Sequence, residues 1–87
     1  MNINHKQMQI IDEVLKKAKN KFPEIVFKNI ETSPDDPEHI WINVIADMDE
    51  EKEIQLIRYS GKLDNEILTK FGYKITIMPE NPNFVYA

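Results

Sequence analysis

The chain has no cysteine, one arginine, two glycines and no apolar run long enough to cross a bilayer. Without thiols there is no disulfide framework, no thiolate zinc site and no cysteine nucleophile. Arg58 is the lone side chain of the type that forks onto phosphate and reads guanine edges, and the formal net charge is -4. A generic nucleic-acid binder draws most of its non-specific affinity from neutralised phosphates, so this balance argues against one. Gly61 and Gly72 cannot build a glycine-rich phosphate cradle, and no P-loop or dinucleotide fingerprint is present. No cofactor is expected. The longest apolar stretch, Ile40 to Ala46, falls far short of the ~20 residues that span a membrane. Met1 to Lys6 has no apolar signal-peptide core, so the expectation is a cytoplasmic chain.

Its 87 residues leave room for one domain with a thin core. An apolar share of 41% against a charged share of 30% suits a small globular domain with much surface, and is too apolar for a disordered chain.

Asn4 followed by Gln7 has capping-box spacing, and Met8, Ile11, Leu15, Ala18 and Phe22 then recur every three or four residues. This predicts a helix from Asn4 to Lys21, stopped by Pro23. Ile25, Val26, Phe27 and Ile30 mark a strand. The turn formers Ser33 to Glu38 separate it from a second strand, His39 to Asp47, with an antiparallel hairpin as the expected pairing. Along that second strand Ile40, Ile42, Val44 and Ala46 share one face, while His39, Trp41, Asn43, Ile45 and Asp47 share the other.

A second helix starts near Asp49. Ile54, Ile57, Gly61, Leu68 and Phe71 fall on one stripe, which Leu56, Leu63 and Ile67 broaden. Gly72 is placed as a left-handed C-cap, and Tyr73 to Met78 reads as a third strand. The expected fold is two-layer α+β, ordered α-β-β-α-β, with both helices on one face of a small mixed three-stranded sheet. A crossover helix between the second and third strands implies that those two run parallel.

Ser60-Gly61 is the weak point of the second helix. A break there converts the order to α-β-β-α-α-β, which resembles type II KH and BolA-like domains in topology. A KH domain clamps nucleotide backbone with a Gly-X-X-Gly loop between its paired helices. Here the corresponding residues are Gly61-Lys62-Leu63-Asp64, and the acid in place of the second glycine repels phosphate. The alternative function implied by the resemblance is a small KH-like RNA-binding module.

Few residues offer chemistry. Asp35, Asp36, Glu38 and His39 cluster around two prolines, where acids are ordinary turn formers, and no metal site is expected there. Two histidines, His5 and His39, with two serines, Ser33 and Ser60, give almost no material for a nucleophile–base–acid arrangement. The expectation is a non-catalytic domain. Its candidate interface is the sheet face opposite the helices, carrying Trp41 and Ile45 with Val26 and Ile30 from the first strand. The tail residues Phe84 and Tyr86 are expected either to join that interface or to fold back over it. Such a face suits self-association into a homodimer or docking on a partner protein. A second candidate is an anion-binding cluster at the end of the first helix, formed by Lys16, Lys17, Lys19 and Lys21 with Lys28 nearby.

Overall fold

A computed structural model describes residues 3–83. The elements are α1 (His5–Lys21), β1 (Ile25–Thr32), β2 (His39–Ala46), α2 (Glu50–Phe71) and β3 (Lys74–Glu80). The sheet order is β1-β2-β3, with β1 antiparallel and β3 parallel to the central strand β2. This is the expected α-β-β-α-β architecture.

Both helix starts follow from short polar side chains meeting free amides. Asn4 accepts from the Gln7 N–H at 2.8 Å, while the Gln7 side chain accepts from the Asn4 N–H at 3.0 Å, closing the capping box. Asp49 accepts from the Lys52 N–H at 2.8 Å, and Glu50, Glu51 and Glu53 follow in the first turn, beside the positive end of the helix dipole. At the other end Gly72 adopts φ 76°, a left-handed conformation that costs an L side chain but not glycine. The β1–β2 turn closes through the Ser33 N–H on the His39 carbonyl at 2.8 Å and the Glu38 N–H on the Asp36 carboxylate at 3.0 Å.

α2 is continuous through Ser60 and Gly61, so the α-β-β-α-α-β order does not occur. One glycine costs about 1 kcal/mol in a helix interior, too little to break a helix capped at both ends and packed along its length. The Gly-X-X-Gly comparison accordingly has no interhelix loop to apply to.

The core lies between the helices and one sheet face. Ile10, Ile11, Val14 and Ala18 of α1 and Leu56, Leu63 and Ile67 of α2 close over Ile25, Ile40, Ile42, Val44, Ala46, Ile75 and Ile77. The inward stripe of α2 also carries Glu53 and Ser60, both buried. Asn81, buried just after β3, donates to the Met48 carbonyl at 2.8 Å and to the Glu53 carboxylate at 3.4 Å, tying the end of β3 to the start of α2.

Candidate interaction surface

A bulge in β1 sets which side chains reach each face. Phe27 pairs with Val44 and Asn29 with Asn43, leaving Lys28 as an extra residue without a partner position. Beyond it the alternation is displaced by one. Ile30 therefore sits opposite Ile42, half-buried on the helix side, rather than beside Val26 on the outer face. This corrects the placement read from simple alternation.

The outer face holds Val26, Trp41 and Ile45, with Val26 54% and Ile45 36% exposed and Trp41 half-buried. Polar groups divide them. The Asn43 amide donates to Asn29 at 2.7 Å and to Glu31 at 2.9 Å. Lys28 of β1 reaches Glu80 of β3 at 2.9 Å, so that pair spans the central strand. Trp41 packs edge-on against His39. Phe84 and Tyr86 lie outside the described residues.

His39, Thr76 and Asp64 form a hydrogen-bonded chain of an imidazole, a hydroxyl and a carboxylate. The Thr76 hydroxyl donates to the Asp64 carboxylate at 2.8 Å and lies 2.7 Å from His39 Nε2. A hydroxyl has a single proton, and here it is given to Asp64, so His39 Nε2 acts as a donor to Thr76. That polarity is opposite to the one that activates a hydroxyl nucleophile, where the imidazole accepts its proton.

The proposed anion cluster is largely engaged within the chain. Lys19 donates to the Ile25 carbonyl at 2.6 Å, Lys21 lies over the Tyr59 ring at 4.7 Å, and Lys28 is paired with Glu80. Lys16 and Lys17 remain at the surface beside Asn20 and Pro23. Elsewhere, the hydrogen bond and charge of Lys74 hold the Asp36 carboxyl below its usual range, and Lys52 does the same for Glu24. Among the described residues no group of three or more His, Asp or Glu side chains is placed to hold a metal ion.

Among the described residues, four large exposed apolar side chains are on α2. Ile54, Ile57 and Leu68 are 44%, 51% and 45% exposed, and Phe71 is also in solvent. Tyr59, which packs on Phe22, marks the side of the helix facing α1, and Asp64, bonded to Thr76, marks the side facing β3. At about 100° per residue, Ile54, Ile57, Gly61 and Leu68 fall on the flank beyond Asp64, turned away from α1. A Cβ built on Gly61 meets nothing within 4 Å. The residues of this flank were visible in the sequence as one half of a broad stripe. The signal that set them apart is the width of that stripe, which exceeds what one side of a two-layer domain buries.

A scan against protein-family models gives no match, and neither curated proteins nor solved structures give a significant one.

Proposed function

We propose that this chain is a non-catalytic interaction domain that binds another protein chain through the exposed flank of α2. The carrying observation is that Ile54, Ile57 and Leu68, three large apolar side chains at helical spacing, stand in water along one flank of a helix that already contributes a second stripe to the core. Single exposed apolar residues are ordinary, but contiguous apolar patches on small domains mark binding surfaces. The outer sheet face is the weaker candidate, because the Lys28–Glu80 pair and the Asn29–Asn43–Glu31 network interrupt its apolar residues. A helix laid against a complementary apolar surface is a recurring recognition mode.

The test is site-specific photocrosslinking in the cells that make the protein, with the photoreactive group at position 57 or at position 66, on a polar part of the same helix. The reading predicts a discrete protein adduct from position 57 and none from position 66. No adduct from 57, or equal adducts from both, contradicts it.

A further inference from the structure

We infer that the occupant of this flank is a second copy of the chain, whose α2 lies antiparallel to the first about a two-fold axis beside Gly61. The inference rests on the interaction reading above and adds the identity and direction of the partner.

The spacing is the first argument. Ile54, Gly61 and Leu68 recur at heptad intervals, with Ile57, Asp64 and Phe71 at the intervening positions, which is the pattern of a two-helix seam. Ile54 and Leu68 are equidistant from Gly61. A two-fold through Gly61 therefore sets Ile54 of one copy against Leu68 of the other, and repeats that contact on the far side. The polar member of the seam, Asp64, has its carboxylate turned back onto Thr76 at 2.8 Å, away from the facing helix.

Gly61 supplies the second argument. It sits in the middle of a 22-residue helix with ordinary helical backbone, and among the described residues no side chain or neighbouring element comes within 4 Å of the position a Cβ would take. Neither a turn nor intrachain packing accounts for the missing side chain. A helix from another chain crossing at this point does, because two backbones approach closely only where side chains are absent.

Charge selects a second copy laid antiparallel. One end of the flank carries Glu50 and Glu51, which are in no ion pair among the described residues. The other end carries Phe71 with Lys6 at 4.9 Å and Lys70 at 5.6 Å from its ring. The same two-fold sets Glu50 of one copy level with Gly72 of the other, next to Phe71 and its two lysines, so each acidic end meets a basic one and the helix dipoles oppose. A parallel pair stacks like charge on like.

The chain has no cysteine, so single cysteines report the geometry directly. Oxidation is mild, and Gly61 is kept so that the close approach is undisturbed. Ile54→Cys and Leu68→Cys should each stay monomeric alone, because in an antiparallel pair equivalent positions are about 21 Å apart, at 1.5 Å per residue and beyond disulfide reach. Mixed together they should cross-link to each other. Failure of the mixed Ile54→Cys and Leu68→Cys chains to cross-link, or cross-linking of Ile54→Cys alone, overturns the inference. A thermal melt matching the parent verifies that each variant is folded. A photocrosslink from position 57 to a different protein, with no cysteine trapping, removes the second copy and leaves the interaction reading standing. No adduct of either kind removes both.

Discussion

Ile54 and Leu68 stand equidistant from Gly61 on one flank of α2, and both are nearly half exposed, at 44% and 45%. The opposite choice was open to the helix. Its inward stripe buries Glu53 and Ser60 together with Leu56, Leu63 and Ile67, while Ile54, Ile57 and Leu68 stay in water. Turning Glu53 inward gains its tie to Asn81 and leaves the apolar flank exposed.

The two stripes should respond differently to substitution. Leu56→Ala and Ile67→Ala remove buried side chains and should each cost about 2–5 kcal/mol in urea unfolding at low protein concentration. Ile57→Gln and Leu68→Gln should stay within about 0.5 kcal/mol of the parent under the same conditions. Equal losses from both pairs would show that the flank is part of the monomer's own core.

The two glycines should give opposite signs. Gly61→Ala meets nothing within 4 Å and lies in helical backbone, so it should stabilise the monomer by up to about 1 kcal/mol. Gly72→Ala forces a Cβ into φ 76° and should destabilise by roughly 1 kcal/mol. Thermal melts of the two variants against the parent decide it.

Deleting Lys28 should leave a folded protein. Phe27 and Asn29 already pair with adjacent residues of β2, so the deletion closes the bulge and keeps Ile30 opposite Ile42. Deleting Asn43 should abolish folding, because it sends one half of the central strand's core side chains to the wrong face. Amide spectra and cooperative melting distinguish the outcomes.

The Asp36–Lys74 pair at 2.8 Å should appear in the pH dependence of stability. Lys74 holds the Asp36 carboxyl below its ordinary value of 3.8, so the pair's contribution is complete above that value and is lost as pH falls below it. Asp36 in turn raises Lys74 above its ordinary 10.5, so the contribution is also lost as pH rises through that raised value. Lys74→Met should therefore melt below the parent at neutral pH, with the gap closing in acid. A gap constant with pH would mean the substitution acts through packing.

Most of the fold was legible because local and global preferences agree. Asn4 with Gln7, Asp49 before an acidic turn, and Gly72 after Phe71 each place a helix end by an orphan backbone group that only such residues satisfy. Alternation in β2 placed its two faces correctly. The bulge was not legible: nothing in Val26-Phe27-Lys28-Asn29 distinguishes an extra residue from a paired one, and Ile30 changed sides because of it. Nor could periodicity say which half of α2's broad stripe turned inward, since that depends on the ties of Glu53 and Asp64 to Asn81 and Thr76 on distant strands and loops. A Trp in the middle of an alternating strand drew the candidate interface to the sheet, and the exposed apolar side chains of α2 were hidden in a stripe read as core.

The most direct test of an interface on α2 is sedimentation equilibrium of the parent chain and Leu68→Glu over a wide concentration range. The account predicts that the parent's mass rises with concentration from one chain towards two, while Leu68→Glu stays at one with an unchanged melting temperature at high dilution. A parent that remains at the mass of one chain throughout, or a variant that associates as the parent does, contradicts it.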